Sequence, residues 1–192
     1  MTMPTHLWED HLYLGKWQPS NGPKTPVIEP ATGDKLTEVQ TATVEDVERA
    51  AKIAKDAQLS WAALPFDQKA EILRRAAALL KERAEDISYW NTRECGSIGP
   101  KADWELQATY EQAQMAAALP MQPYGQIFPS SMPGRRKYWK RLPIGTVGVI
   151  APWNFPILLA MRSVFPALGM GNCVILKPAP DSAVCGGALM AE

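Results

Sequence analysis

Two polar residues stand where a ligand of an open α/β sheet would meet them. Asn154 follows the β-branched, apolar run Thr146 to Ala151, and Lys177 follows the similar run Cys173 to Leu176. Parallel strands bind ligands beyond their carboxyl ends, so a parallel pairing of these runs would bring both residues to one edge. Asn154 lies in Ala151-Pro152-Trp153-Asn154-Phe155-Pro156, where the prolines limit backbone freedom and Pro156 suits the first turn of a helix. A held asparagine amide offers two N–H donors without charge, which suits an oxyanion that exists only during reaction; one such donor is worth about a hundredfold to a thousandfold in rate. The same residue could instead cap the helix that Pro156 opens, and the local sequence favours the cap. Lys177 is kept extended by Pro178. It reads equally well as a solvated strand end and as a donor to ribose hydroxyls or phosphate.

Other chemistry finds less support. There is no GxGxxG and no GxxxxGK[ST]; Gly145-Thr146-Val147-Gly148 has the wrong spacing and precedes a strand. Cys173 lies inside the run Cys173 to Leu176 with no histidine or carboxylate nearby to activate it, so it reads as a structural cysteine, as do Cys95 and Cys185. The 3 cysteines lack CxxC or zinc spacing and the 2 histidines are His6 and His11, which points to a reduced, cytoplasmic protein with no structural metal.

Lysine plus arginine equals aspartate plus glutamate at 20 each, so no overall field favours nucleic acid or an acidic membrane. The basic cluster Arg135, Arg136, Lys137, Lys140 and Arg141, interleaved with Tyr138 and Trp139, reads as a solvated strand edge with one wet face rather than a nucleic-acid surface. Met1 to Glu9 has no signal core, and the most apolar stretch, Val147 to Leu168, is broken by Pro152, Pro156 and Pro166, so neither secretion nor membrane spanning is expected.

The elements that must position Asn154 and Lys177 follow from periodicity, in a chain that is 46% hydrophobic and 21% charged. Residues 1–42 read as an extended or hairpin arm. Residues 43–119 read as helical, with Thr43 as a cap and Val47, Ala50, Ala51, Ala54, Ala57 and Trp61 as the apolar face of the first helix. A second helix is expected from Asp67 to Gly96, and a third from about Lys101 to Leu119. Residues 120–143 read as a Pro-rich connection and strand. Residues 144–192 supply a first β-α-β-α, with a helix restarting near Ser182. The class is α/β, in which helices lead into an incomplete, parallel, Rossmann-like cofactor-binding sheet with both faces covered.

The segment Gly145 to Pro156, with Pro166-Ala167-Leu168, Gly171-Asn172 and Lys177-Pro178, resembles the aldehyde dehydrogenase superfamily, and the likeness covers nearly the whole chain. Trp90 to Gly96, Phe128-Pro129-Ser130, Met132 to Arg135 and Leu159 to Ser163 look most like bacterial benzaldehyde dehydrogenases. The resemblance implies that Asn154 is the oxyanion donor and that Lys177 holds the adenosine ribose. It also implies that Ile150, Ala151, Pro152, Trp153, Ala179 and Pro180 border the cofactor, and that Phe155, Leu158 and Arg162 border the aldehyde substrate. Many NAD-using relatives have a glutamate where this chain has Pro180; its loss removes one objection to a 2′-phosphate, so the cofactor is NAD or NADP. In the family the nucleophilic cysteine, the general-base glutamate, the second cofactor motif and the oligomerisation strand lie beyond the stretch matched here. The expectation is an amino-terminal fragment of an enzyme that oxidises an aromatic aldehyde to its acid, inactive alone, whose full-length parent is a homo-oligomer. The alternative is a non-catalytic short protein that binds nucleotide or a partner chain.

Overall fold

The computed structural model describes residues 7–192. His6 and most of the Met1 to Glu9 segment lie outside the described residues. A single turn, α1 (Leu7–Asp10), leads into two antiparallel hairpins: β1 (His11–Tyr13) with β2 (Trp17–Pro19), and β3 (Lys24–Ile28) with β4 (Lys35–Gln40). Trp8 and Glu29 tie the arm to the helical layer. Trp8 is buried edge-on against Trp90, with ring centroids 5.7 Å apart, and the Glu29 carboxylate pairs with the Arg93 guanidinium.

Helix α2 (Val44–Ala63) begins at Thr43, whose hydroxyl accepts from the Asp46 N–H while the Asp46 carboxylate accepts from the Thr43 N–H. Ser20 adds a 2.6 Å hydrogen bond to the same carboxylate, joining the arm to the helix start. The apolar face expected of α2 is only half covered. Ala50, Ala54 and Trp61 are partly buried, but Val47 is 52% exposed, and Ala51 and Ala57 are exposed too. The helix docks near its carboxyl end through hydrogen bonds from Trp61 to Leu168 O and Gln58 to Gly171 O, and its opening turns have little apolar cover among the described residues.

The second expected helix is two, α3 (Phe66–Glu82) and α4 (Ala84–Cys95). Arg83, at φ −109° and ψ 20°, leaves helical geometry between them, a break that periodicity does not register because the apolar spacing runs through it. Gly96 closes α4 in the left-handed conformation at φ 65°, as glycine does without steric cost. Helix α5 (Gly99–Ala117) then packs against α3, and the core gathers Leu73, Ala77, Leu80, Leu106, Ala113 and Ala117 from the two.

The Pro-rich connection holds a hairpin, β5 (Gly125–Phe128) with β6 (Lys137–Lys140). The expected strand with one wet face is instead wet on both: all of Lys137 to Lys140 is exposed, because its ladder partner is β5 and neither face reaches the core. Next come β7 (Thr146–Ile150), α6 (Pro156–Gly169) and β8 (Cys173–Lys177), with the strands parallel and Thr146 paired to Cys173. Asn172 fixes the entry to β7: its Oδ1 accepts from the N–H groups of Ile144 and Gly145, and its Nδ2 donates to Ala167 O.

Helices α2 and α6 pack on this pair, yet Ile150 is 80% exposed while Val149 is buried. The expectation that both faces are covered therefore holds only in part, since the described residues provide no further layer beside Ile150. The helix expected near Ser182 is irregular: a 3-10 turn at Pro180–Ser182, a wider π-type turn at Val184–Ala188 and a last α-helical turn α7 (Leu189–Ala191). No helix among the described residues is long and apolar enough to cross a membrane.

The hydrogen bond from Ser20, then the Thr43 backbone N–H, hold the Asp46 carboxyl below its ordinary range. A depressed folded value contributes stability above the unfolded value and loses it as pH falls through the folded one. Asp46→Asn keeps one acceptor oxygen but removes the charge that Ser20 and Arg49 meet, and should destabilise the chain by about 1 kcal/mol at neutral pH. Urea unfolding should show the difference from wild type shrinking as the pH drops below the aspartate range.

Candidate cofactor and oxyanion site

The β7–β8 register pairs Ile150 with Lys177, and the Ala151 N–H donates to Lys177 O at 3.0 Å. Both strands thus end level, and the two segments that follow leave from one edge of the sheet. Ala151 and Ala179 point inward, each 6% exposed, whereas Pro152, Lys177 and Pro180 are exposed and Trp153 is 62% exposed. Small inward residues let the following segments lie close over the strand ends, and the larger residues face outward.

Asn154 is exposed, and among the described residues its side chain makes no hydrogen bond. The capping role favoured by the local sequence is not what the structure has. The residue at the N-cap of α6 is Phe155, which makes no side-chain cap, and Pro156 fills the first helical position. The next N–H groups, of Ile157 and Leu158, donate to Glu105 Oε1 at 2.8 and 3.0 Å. Glu105 comes from the middle of α5 and is 0% exposed. Its carboxylate brings a negative charge to the positive end of α6, which a neutral asparagine could not.

Glu105 is itself held. Asn91 Nδ2 donates to its Oε2 at 2.9 Å, Ser97 Oγ donates to Asn91 Oδ1 at 2.8 Å, and Lys101 Nζ donates to Ser97 Oγ at 2.8 Å while standing 3.5 Å from Glu105 Oε2. This closed network joins α4, α5 and the turn between them to the start of α6. Sequence reasoning missed Glu105. The available signal was a carboxylate on the buried stripe of α5, between Ala102 and Leu106 and four residues before Thr109.

A second buried carboxylate repeats the device one strand later. Glu94, 4% exposed at the end of α4, accepts from the N–H groups of Val184 and Cys185, both at 2.8 Å. Burial pushes the Glu94 carboxyl above the ordinary glutamate range, and those two backbone donors pull the other way.

Asn154 and Trp153 border a cleft of about 310 Å³ whose other wall is Cys95, Gly96, Ser97, Ile98 and Lys101. Phe155, the next residue, packs toward α5: the Trp104 ring meets it edge-on at 5.6 Å and Lys101 Nζ lies 4.7 Å above its centroid. Leu158 is half-buried and Arg162 exposed, one and two turns along α6 from Asn154. Burial raises the Cys173 thiol above its ordinary range, which opposes thiolate formation there. A larger hollow of about 460 Å³ runs along the β5–β6 hairpin, but the polar groups that line it come from residues such as Gln126, Tyr138 and Lys140 and include no acid or thiol. The smaller cleft is therefore the chemically equipped one. What it can do is present an uncommitted amide donor opposite the Cys95 to Lys101 wall, with the Lys177 strand end on the same sheet edge.

The model of the aldehyde dehydrogenase family matches residues 17–192. The chain belongs to the aldehyde dehydrogenase family. It is 50% identical over 186 residues to the NAD(+) benzaldehyde dehydrogenase of Pseudomonas putida, covering 97% of this chain and 38% of that protein. It is 46% identical over 185 residues to the vanillin dehydrogenase of Amycolatopsis sp., covering 96% of this chain and 38% of that protein. The crystal structure of a NAD-dependent benzaldehyde dehydrogenase from Corynebacterium glutamicum superposes with a TM-score of 0.93 at 38% identity, over 99% of this chain and 41% of that one. The chain thus spans well under half the length of these relatives, matching their amino-terminal part. The mixed α/β architecture is that of the family's Rossmann-like cofactor-binding region.

Glu105→Gln keeps one oxygen for the α6 amides but removes the charge and sets an amide N–H₂ against Asn91 or Lys101. Loss of a charged acceptor with buried donors left unmatched costs about 1–3 kcal/mol. Equilibrium urea unfolding should register that loss, and an unchanged midpoint would contradict the capping role.

Proposed function

We propose that this chain supplies the oxyanion donor and the ribose-holding part of the cofactor site of an NAD(P)-dependent aldehyde dehydrogenase that oxidises an aromatic, benzaldehyde-like aldehyde to its carboxylic acid. The observation that carries the reading is the uncommitted Asn154 amide. Glu105 has taken over the α6 amides, so the asparagine beside the Lys177 edge is left without a structural task. The similarity to benzaldehyde and vanillin dehydrogenases supports the aromatic class.

In this reading Asn154 Nδ2 donates to the oxygen of the aldehyde as negative charge builds on it, and Lys177 Nζ donates to the cofactor ribose hydroxyls. Ile150, Pro152 and Trp153 give the cofactor an apolar and aromatic rest, with Ala151 and Ala179 drawn in behind it. Pro180 adds no carboxylate beside the ribose, so either NAD or NADP fits this edge. The bound nicotinamide supplies the hydride acceptor. Phe155, Leu158 and Arg162 border the aldehyde, and the edge-on contact with Trp104 fixes the Phe155 ring beside it. The nucleophile and the general base come from outside the matched stretch, in a homo-oligomeric parent. The unbridged Cys95, Cys173 and Cys185 thiols fit a cytoplasmic setting.

Calorimetry with NAD and with NADP, on wild type and Lys177→Ala, tests the cofactor edge. Binding of at least one nucleotide, weakened about tenfold by losing a charged donor, is the expected result. Heat from neither would overturn the cofactor assignment. In the full-length enzyme, Asn154→Ala should lower kcat by about a hundredfold to a thousandfold with KM little changed, and an unaltered kcat would remove Asn154 from the chemistry. This chain alone should form no NADH or NADPH from benzaldehyde. Nucleotide binding by the chain, with no activity recovered when it is extended to family length, would favour a non-catalytic binding protein.

A further inference from the structure

We propose that Cys95 and Cys185 form a redox-active dithiol, at which a low-molecular-weight disulfide such as oxidised glutathione drives closure of an intramolecular disulfide. The two sulfurs lie 3.4 Å apart although they are 90 residues apart in sequence. They come from different elements, Cys95 from the last residue of α4 and Cys185 from the π-type turn Val184–Ala188. A disulfide needs about 2.05 Å between sulfurs, so a small rotation of side chains already in contact brings them to bonding distance. The turn that carries Cys185 bonds Ala188 N–H to Ala183 O, five residues back, a looser winding than an α-helix that can absorb such a shift. This inference does not depend on the nucleotide or aldehyde assignment.

The two thiols divide the reaction between them. Cys95 is half-buried and opens on the cleft it shares with Trp153 and Asn154, whereas Cys185 is fully buried. The Cys95 thiolate attacks one sulfur of the small disulfide; that S–S bond breaks, and one thiol leaves with the electron pair and takes up a proton. Cys185 then gives its proton to solvent or to a departing thiolate and attacks the Cys95 sulfur, releasing the second thiol. Two protein thiols are oxidised and one small disulfide is reduced to two thiols. Its hydrogen bond to Cys95, its burial and the Glu94 carboxylate raise the Cys185 thiol well above its ordinary range in the reduced pair, so Cys185 is not the sulfur that attacks first.

A metal ion is a poorer occupant. The third group within reach is Glu94, and both its oxygens already accept from the Val184 and Cys185 N–H groups; a cation would have to take one away and orphan a buried donor. A disulfide leaves that cap intact. It would also act on the candidate site, since a side chain added at Gly186 or Gly187 would meet Pro156 or Pro178 at 3.0 and 2.6 Å. The Cys185 turn therefore packs against the prolines that follow Asn154 and Lys177, and the bond would fasten it to the cleft wall opposite Asn154.

The test is to incubate the folded chain with oxidised glutathione, alkylate the remaining thiols and map the cysteines by mass spectrometry. Wild type should lose two hydrogens, link Cys95 to Cys185 and leave Cys173 alkylated, with full reversal by dithiothreitol. Cys185→Ser should stop at a lasting glutathione adduct on Cys95, Cys95→Ser should leave Cys185 alkylated only after unfolding, and Cys173→Ser should close like wild type. In denaturing urea the pairing preference should vanish. A folded wild-type chain that keeps a glutathione adduct on Cys95 without closing, stays fully reduced or bridges through Cys173 would overturn the proposal.

Discussion

A helix that starts inside a protein presents N–H groups with no partner in the helix, and in this chain that problem arises at the end of each parallel strand. Both times the answer is a buried carboxylate from a helix on the other side of the core. Glu105 accepts from the Ile157 and Leu158 amides at the start of α6, and Glu94 accepts from Val184 and Cys185 beyond β8. Burying an ionised carboxylate is costly unless its lone pairs are filled and its charge is met. Here two backbone donors meet each one, and Asn91, Ser97 and Lys101 complete the set around Glu105. The helical layer and the sheet are thereby locked in one register.

The rest of the edge depends on that lock. Because α5 supplies the cap for α6, the segment Ala151 to Phe155 needs no internal capping side chain, and Asn154 can turn its amide to the cleft. The β7–β8 ladder sets Lys177 level with Ile150, so Lys177 and the segment that carries Asn154 leave the same edge. Trp61 and Gln58 of α2 fasten the opposite end of the pair by donating to Leu168 O and Gly171 O. The same chain of contacts carries a second chemistry: α4 ends in Glu94 followed by Cys95, so the residue that caps the turn after β8 brings its neighbour's sulfur against Cys185.

Membership of the aldehyde dehydrogenase family accounts for this economy. Residues 17–192 match the family, while the relatives extend far beyond the matched stretch. The exposed faces of Ile150, Trp153 and Val47 are apolar surfaces of the kind that a larger fold covers, and they sit on the elements that border the sheet edge.

The sequence by itself determined the period of each element, the parallel β-α-β order, the glycine closing α4 and the placement of Asn154 and Lys177 after their strands. These are local facts, carried by side-chain spacing, β-branching, proline and glycine. It misjudged what depends on partners far along the chain. One apolar period runs through Arg83 and conceals two helices; the basic cluster from Arg135 to Arg141 suggests a strand with one wet face where both are wet; and Asn154 reads as a cap in a place that Glu105, 49 positions earlier, holds. A hydrogen bond between residues distant in sequence leaves no local period, because either partner alone looks like an ordinary polar residue on a helix. Only the packing of α5 against α6, and of α4 against the turn after β8, decided which carboxylate became a cap, which amide remained free and which two thiols came into contact.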